Sequence, residues 1–590
     1  MEEHLPRKWD LRSPASLLVE EICAKTGLSP TAAKILVNRG ISGDGEADRF
    51  LSGTLRDLSP PFLMADLDKA AKRLVDAGAR NEPVLIYADY DADGATGAAC
   101  LFLFLKNKFP GLPVRIHQNH RVQEGYGLRT EQLDAAAAEG IRIVVTVDCG
   151  ISDIDAIRHA GVLGLDVIVT DHHLPGSVLP AAYAVINPKR RDCGFPEKNL
   201  SGVGVVFTLV RGIQQLLTGV GSSRGDPDDD LRSYLDLVAV GTVADMVPLR
   251  GDNRILVKEG IGEIRKRPRP GMIALLAVAG TEPGNVSESD LGFRIGPRLN
   301  AAGRVGESRR SSDLLVTSSQ EAAFRLAAEL NVDNSRRQRE EERILRSAEG
   351  ALRSGPPLST MGAIVLADPE WNLGVLGIVA SKLAERHFLP TVLLRVEDGE
   401  AKGSCRSVDG FPLVDALEGL SHLLSRYGGH SQAAGLALPV GNLPAFREGM
   451  ERIASMYAAE RGSVPSVPVD ASVRLCDISS SFMEEMERIR PFGMGNEEPV
   501  FLARGLKASR YTLFGPGGQH MKFEVSDDDR KFEVVAFRRS SLPVAQGDRL
   551  DLLFTPQRVF FRGNRSVRFL FRDARPHDGA IVLSETSPSV

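Results

Sequence analysis

The chain reads as two α/β units joined by a long polar helix and followed by a small β-barrel. Three observations predict this architecture. Short apolar runs alternate with helical stretches from Ala65 to Pro188 and again from Ala363 to Arg395, which is the pattern of βαβ units on a parallel sheet. Neither Gly nor Pro occurs between Asp313 and Glu349, so one helix can run unbroken there. From about residue 465 the pattern changes to short alternating strands with turns rich in Gly and Asp, and such a series closes readily into a barrel.

At 590 residues the chain exceeds what one core can organise. Its composition, 43% hydrophobic and 25% charged, is that of an ordinary globular protein. The first residues, MEEHLPRKWDLRSP, lack a basic-then-apolar signal pattern, and no apolar run reaches a membrane span's length; no membrane association is expected. Six cysteines (Cys23, Cys100, Cys149, Cys193, Cys405 and Cys476) are scattered without CxxC spacing. That pattern points to a reduced, cytoplasmic setting and against a zinc ribbon or disulfide framework. The net charge of −5 does not exclude nucleic acid, because an aspartate-rich site turns locally positive once divalent ions bind. Basic runs such as Arg265–Arg269 (RKRPR) and Arg336–Arg339 (RRQR) also occur.

Taken in order, Ser29–Asn38 predicts a helix within a helical N-terminal region of residues 1–65. An amphipathic helix over Ala65–Ala79 leads into the first strand, Val84–Ile86. The run Tyr87–Gly94 (YADYDADG) follows as a strand-to-helix turn, and a helix is expected over Thr96–Leu105. Strands follow at Ile143–Val147, Val167–Thr170 and Tyr183–Ile186, with helices Glu131–Ala138 and Ile154–Ala160 between them. The first two of these strands end in Asp148 and in Asp171–His172–His173. Leu231–Ala244 predicts an apolar helix carrying Asp236 and ending at Asp245. The stretch Asp333–Arg343 is polar all round and predicts a solvent-bridging helix steadied by Arg336–Glu340 and Arg337–Glu341 pairs. A second α/β unit is expected from strand Ala363–Ala367, helix Val375–Arg386 and strand Thr391–Arg395, followed by KGSCRS (402–407) and YGGHSQAAG (427–435). Strands at His520–Val525, Phe532–Phe537, Leu550–Phe554 and Val567–Phe571 complete a barrel of the oligonucleotide-binding type. The domain boundaries follow as 1–65, 66–250, 251–350 for the helical connector, 351–460, 465–577, and a flexible tail at 578–590.

Ligands of parallel sheets gather at the carboxyl ends of the strands, where Asp89, Asp91, Asp93, Asp148, His172, His173 and Asp245 are expected to meet, with Asp171 and Asp236 behind them. Like charges this close call for a cation. Carboxylates suit Mg²⁺ or Mn²⁺, and an imidazole tilts the preference toward Mn²⁺. Six or more donors exceed one ion and fit two, the arrangement that supports phosphoryl displacement. Taken alone, the acidic run also fits a calcium-type structural loop or a solvated turn, and the histidine pair also fits satisfied surface histidines. The Gly-rich runs lack the P-loop spacing.

DYDADG (89–94), EGYGL (124–128), VDCG (147–150), DHH (171–173) and GTVADMVPL (241–249) resemble the successive motifs of the DHH phosphoesterase superfamily. IGPRLNAAGR (295–304), GVLGIVASKLAER (374–386), KGSCRS, YGGHSQAAG and PFGMGNEEP (491–499) narrow the resemblance to the RecJ single-strand-specific exonucleases. The resemblance implies a DHH domain, a DHH-associated substrate-binding domain, and an enzyme that uses two Mn²⁺ or Mg²⁺ ions to degrade single-stranded DNA 5′→3′ to mononucleotides. Carried onto this chain, the metal ligands would be Asp89, Asp91, Asp93, Asp148 (bridging), His172 and Asp245. His173 would face the scissile phosphate and Asp171 would orient its neighbours. Arg121, Arg298, Asn300, Arg304, Ser404, Arg406, Gly429 and His430 would bind substrate. A role in DNA repair and recombination, a monomeric state, and a single-strand-binding protein and a helicase as partners are implied in the same way. The sequence departs from the family at Asn372, where His often follows Trp, at Asn119, where Pro is common, and at Cys405, a usual small-residue position. Alternative readings are a DHH phosphodiesterase for short oligonucleotides or cyclic dinucleotides, and a non-catalytic DNA-binding scaffold.

Overall fold

A computed structural model describes residues 7–41, 45–121, 124–219, 229–461, 465–527, 530–561, 564–577 and 584–586. Two compact units are distinguished. One comprises Ser59–Asp245 and Gly260–Pro465, the other Pro6–Leu58, Met246–Glu259 and Ser466–Val590.

The first unit is built on a five-stranded all-parallel sheet of β1 (Val84–Ala88), β2 (Val114–Gln118), β3 (Ile143–Val147), β4 (Asp166–Thr170) and β5 (Ala184–Ile186), in the order β2-β1-β3-β4-β5. Strands β1 and β3 are buried along their whole length, as their continuous apolar runs require. Strand β2 (VRIHQ) is not legible from periodicity, being short, half-exposed and rich in polar residues. Its register with β1 is nevertheless fixed from Val84↔Val114 to Ala88↔Gln118. The strands end in step, since Ala88 pairs with Gln118 and Val147, Val147 with Thr170, and Thr170 with Ile186. One residue further on, the chain carries Asn119, Asp89, Asp148, Asp171 and Asn187, all buried. Their backbone N–H groups continue the ladder, as in Asp89 N–H to the Val147 carbonyl and Asp148 N–H to that of Thr170. This polar row spans the point where the strand order reverses, between β1 and β3, where ligands of such sheets lodge.

Helix α1 (Ala92–Lys108) starts four residues before the expected span, at the Asp91 cap. Helix α2 (Gly202–Thr218) is missed by sequence reading altogether, because GVGVVF has low helix propensity and is helical only under full burial. Helix α3 (Leu235–Ala244) is apolar on every side and buried between neighbours. Its Asp236 is tied in two hydrogen bonds to Arg269, at 2.5 and 2.6 Å, and so anchors the fold rather than a ligand.

Helix α4 (Gly296–Val305) packs against α5 (Gln320–Ser354), a 35-residue helix about 50 Å long. The expectation of an all-polar helix bridging in solvent is corrected here. Leu326, Leu330, Asp333, Asn334, Glu341, Ile344 and Ala348 form one continuous buried face, whose polar members are paired. Asp333 accepts from Arg310 at 3.1 Å, and Glu341 bonds both Arg337 and Lys382. The Arg337–Glu341 pair therefore forms, whereas Glu340 turns to Arg343 rather than Arg336, whose Nη1 reaches the Val305 carbonyl.

Beyond α5, strands β6 (Ile364–Ala367), β7 (Thr391–Glu397), β8 (Glu400–Arg406), β9 (Arg426–Gly429) and β10 (Ala433–Pro439) form a mixed sheet in the order β9-β10-β8-β7-β6, with α6 (Leu373–His387) against it. Asn372 caps α6, its Oδ1 accepting the Gly374 N–H at 2.9 Å, a task to which Asn is suited. Cys405 is buried in this unit's core.

In the second unit, β11 (Phe501–Phe514), β12 (His520–Ser526), β13 (Lys531–Ala536), β14 (Arg549–Phe561) and β15 (Asn564–Pro576) close a five-stranded barrel. The ring is completed by the β11–β14 and β13–β15 pairings. Its core, including Phe501, Phe554 and Phe569, is shared with Ile22 and Leu36 of N-terminal helices Ser16–Thr26 and Pro30–Asn38. Arg254 lies fully buried, donating to the Phe50, Arg490 and Pro491 carbonyls and stacked 3.6 Å from the Phe50 ring. Within the stretch expected as a tail, Ser584–Thr586 pair in parallel with Asp10–Arg12; the remainder of 578–590 lies outside the described residues.

Candidate metal centre and phosphate cradle

The polar row at the strand ends supplies Asp89, Asp148 and Asp171 directly. The turn after β1 adds Asp91, which caps α1 by accepting the Asp93 and Gly94 N–H groups at 2.9 and 3.0 Å. Asp93, on the first turn of α1, lies across the N-terminus of α2, where Gly202 and Val203 donate to its two oxygens at 2.6 and 2.8 Å. A helix N-terminus favours such a carboxylate. The chain can pass this closely only because Gly202 lacks a side chain: a Cβ there would stand 2.7 Å from Asp148 Cβ. Asp148 itself sits at φ +62, a left-handed conformation that costs a non-glycine residue about 1 kcal/mol or more and recurs at functional sites.

The expected ligands converge, and His173 with them. Ligand atoms of Asp89, Asp91 and Asp148 lie within 4.8 Å of one another, as do those of Asp93, His172 and Asp245, and those of Asp148, His172 and His173. Asp148 and His172 thus link donor sets suited to two adjacent cations. Hydrogen bonding shows that these atoms want a cation. His172 Nδ1 is 2.9 Å from the Leu200 carbonyl and must donate to it, which leaves Nε2 as an acceptor. That Nε2 faces Asp148 Oδ1 at 3.1 Å and Asp245 Oδ2 at 3.6 Å. Asp89 Oδ1, Asp148 Oδ1, His172 Nε2 and Asp245 Oδ2 are buried with no hydrogen-bond partner. Four converging lone pairs without a donor are costly in a metal-free protein and suited to divalent-ion ligation.

Electrostatics agree. Burial first, then neighbouring carboxylates, hold Asp89, Asp148 and Asp245 well above the usual carboxylate range, and Asp93 rises to about 7 for the same reasons. Burial lowers His172 to about 3, which keeps its ring neutral as a ligand requires. An acid raised in the folded state loses stability as pH climbs from its unfolded value through its folded one. The metal-free protein is therefore expected to melt at a lower temperature at about pH 8 than at about pH 6.5, with added Mn²⁺ closing the gap. Calorimetric melts at matched ionic strength check this.

Asp171 behaves differently. Burial alone would raise it, but hydrogen bonds from the His173 ring and backbone and from the Ile151 N–H bring it below its ordinary value. Its Oδ1 also accepts the His172 N–H at 2.7 Å, so one carboxylate orients both histidines. Asp171→Asn should lower Mn²⁺ affinity or turnover about 10- to 100-fold, as loss of an orienting partner does; titration calorimetry and steady-state rates measure it. Sequence reading missed Tyr126, whose hydroxyl donates to the Asp148 carbonyl at 3.2 Å and lies 3.0 Å from His173 Nδ1. It also missed Asn187, which holds the His173 carbonyl at 2.9 Å. Tyr126 belongs to the EGYGL motif, which Asn119 shapes by donating to the Gly127 carbonyl at 2.7 Å.

The expected substrate contacts divide. Arg121 lies over the Tyr90 ring, 5.1 Å from its centroid. Burial and then the Arg121 charge lower Arg304 to about 9 and lower Arg406, so both guanidiniums feel the charge of Arg121. Arg304 donates to the Gly374 carbonyl at 2.9 Å. Arg406 is oriented by Ser381 Oγ at 3.0 Å and its neighbour's carbonyl at 2.7 Å. Gly377 of α6 makes room for it, since a Cβ there would stand 2.5 Å from Arg406 Nη2 and 3.4 Å from Ser404 Oγ. Gly429 and His430 lie on an exposed hairpin closed by the His430 N–H to the Ala433 carbonyl. Asn300 and Arg298 are engaged within the fold. Asn300 Oδ1 accepts the Ala92 N–H at 2.7 Å, and Arg298 donates to Asn331 and to the Arg294 and Val278 carbonyls.

Comparison with known proteins agrees with this geometry. Family models described as the DHH family N-terminal domain, the DHHA1 domain and the RecJ OB domain match residues 83–242, 360–456 and 469–573. The single-stranded-DNA-specific exonuclease RecJ of Escherichia coli is 37% identical over 563 residues, 93% of this chain and 96% of that protein. The crystal structure of RecJ in complex with Mn²⁺ from Thermus thermophilus superposes with a TM-score of 0.82 at 30% identity, covering 98% of this chain and 80% of that one. The Mg²⁺ complex from the same organism gives a TM-score of 0.74 at 29% identity, covering 96% and 78%. The barrel, the two α/β units and the acidic row with its histidine pair are thus explained together: the chain belongs to the RecJ family of the DHH phosphoesterase superfamily.

Proposed function

We propose that this chain is a divalent-metal-dependent exonuclease that degrades single-stranded DNA from its 5′ end to mononucleotides. The observation that carries the reading is the set of four buried lone pairs, on Asp89, Asp148, His172 and Asp245, aimed at one another without a donor. Asp89, Asp91, Asp93, Asp148, His172 and Asp245 would hold two Mn²⁺ or Mg²⁺ ions, with Asp148 shared. Bound there, the ions would supply Lewis acidity to the attacking water and to the departing oxygen of the phosphodiester.

The chain's own residues would do the rest. His173, held by Asp171 and Tyr126, offers a half-exposed ring to the scissile phosphate. Its pKa is lowered by burial but raised more by Asp171, for a net increase, which favours the charged ring beside the phosphate. Arg121, Arg304, Ser404 and Arg406 would grip the strand's terminal phosphate, since planar guanidiniums meet phosphate bidentately. Gly429 and His430 would line the path, and Arg298 and Asn300, engaged within the fold, would hold α4 beside it. Capture of a 5′ phosphate at a fixed distance from the metals sets polarity and step size. A cytoplasmic location, a monomeric state, a role in DNA repair and recombination, and a single-strand-binding protein and a helicase as partners complete the proposal. Among the described residues no helix is long and apolar enough to cross a membrane.

A time course on 5′- and 3′-labelled single strands with Mn²⁺, with duplex as control, tests the reading. Immediate release of 5′ label as mononucleotide, with 3′ label retained on shortening strands, is the expected outcome. Release of 3′ label first, or equal attack on duplex, would overturn it.

A further inference from the structure

The segment that leads into α4 carries features the proposed reaction leaves unused. Leu291–Ile295 form a π turn running directly into α4, and such turns concentrate at functional sites. Gly292 within it and Gly296 just after it lie against the end of α3. A Cβ on Gly292 would stand 3.4 Å from Val243 Cγ1, and one on Gly296 would stand 3.1 Å from Ala244 Cβ, the two residues that precede Asp245. Beside them Phe293 is 82% exposed.

An isolated exposed Phe needs no explanation, but this one is set in a pattern. Within α4, Pro297, Asn300 and Arg304 recur at intervals of three and four residues, so they follow one edge of the helix, and Phe293 stands on the π turn that leads into it. That edge passes the loop at the metal ligands: Asn300 holds the Ala92 N–H, and a Cβ on Gly303 would stand 2.8 Å from the Tyr90 carbonyl. It ends at Arg304 of the arginine group. Cations flank the other end. Arg265 Nε and Nη2 both donate to the Val286 carbonyl, at 2.8 and 2.6 Å. The RKRPR run is thereby tied to the turn that opens into the π segment, with Lys266 and Arg267 exposed.

We propose that Phe293 is a base-stacking residue for the entering single strand, with Lys266 and Arg267 pairing the phosphates beside the stacked base. The inference rests on the exonuclease reading and deepens it. An aromatic face accepts any base, so it grips a strand without sequence preference. Stacking also requires a base free of its partner, so Phe293 would favour unpaired over duplex DNA before the strand reaches the metals.

The test is steady-state hydrolysis of 5′-phosphorylated single strands by the full-length protein with Mn²⁺, comparing wild type, Phe293→Ala and Phe293→Trp. A second substrate series carries one abasic site at successive positions. Phe293→Ala should raise KM about 5- to 100-fold, the effect of losing one stacked base, chiefly without loss of kcat, and Phe293→Trp should restore it. Wild type should show a KM penalty at one abasic position that Phe293→Ala does not show. Equal KM and the same abasic profile in wild type and Phe293→Ala, or a loss confined to kcat, would overturn the stacking role and leave the exonuclease standing. Failure of the wild type to release nucleotides at all would instead remove the reading on which the inference rests.

Discussion

Asp148→Asn is expected to reduce Mn²⁺-dependent nucleotide release by at least about 10³-fold, because it neutralises the carboxylate shared by two cation sites. The residue's position makes the prediction sharp. Asp148 belongs to two of the three converging donor sets, follows a fully buried strand and is held at φ +62 against Gly202. Asparagine fills the same volume, so the fold should survive and the loss should be chemical. Its amide nitrogen would also face His172 or a neighbouring carboxylate as a donor, satisfying a lone pair that the metals would otherwise take. Quantified release of 5′-labelled mononucleotide, together with a melting curve that shows an intact fold, gives the result; retained activity would contradict the bridging role.

The second large effect is expected at the arginine group. The double variant Arg304→Ala/Arg406→Ala should lower kcat/KM on 5′-phosphorylated strands about 10²- to 10⁴-fold, since each charge-assisted contact contributes about 1.5–3 kcal/mol. Removing a 5′ phosphate from the substrate should mimic much of the loss in wild type and add little in the variant. The structural reason is that both half-buried guanidiniums feel the Arg121 charge, and each is lowered first by burial and then by that charge. Like charges held together in this way are relieved by an anion. Kinetics on paired 5′-phosphate and 5′-hydroxyl strands test the coupling directly, and additive losses would show that the arginines do not read the terminus.

Much of this was legible in the sequence because burial and period coincide there. Ile143–Val147 is a strand in both readings, and the acidic residues that end β1, β3 and β4 are visible as abrupt charges after apolar runs. Aligned strand ends then bring Asp89, Asp148 and Asp171 to one row. Other elements were hidden by competing local signals. In α2, β-branched residues and glycines argue against the helix that burial imposes, and with it the N-terminus that holds Asp93 stayed unseen. In α5, Asp333 and Glu341 look like solvent residues until the distant partners Arg310 and Lys382 are known. Tyr126 carries no chemical signature of its own, and only the folded loop puts its hydroxyl between Asp148 and His173. Asn300 shows the reverse case, a motif residue whose side chain is engaged by the Ala92 N–H of the loop at the metal ligands.

Anomalous diffraction at the manganese edge, from crystals of the protein grown with Mn²⁺, bears most directly on the paired-cation site. Two peaks about 4 Å apart, both enclosed by Asp89, Asp91, Asp93, Asp148, His172 and Asp245, are the predicted result. An absence of peaks there, or manganese bound only elsewhere on the chain, would contradict it.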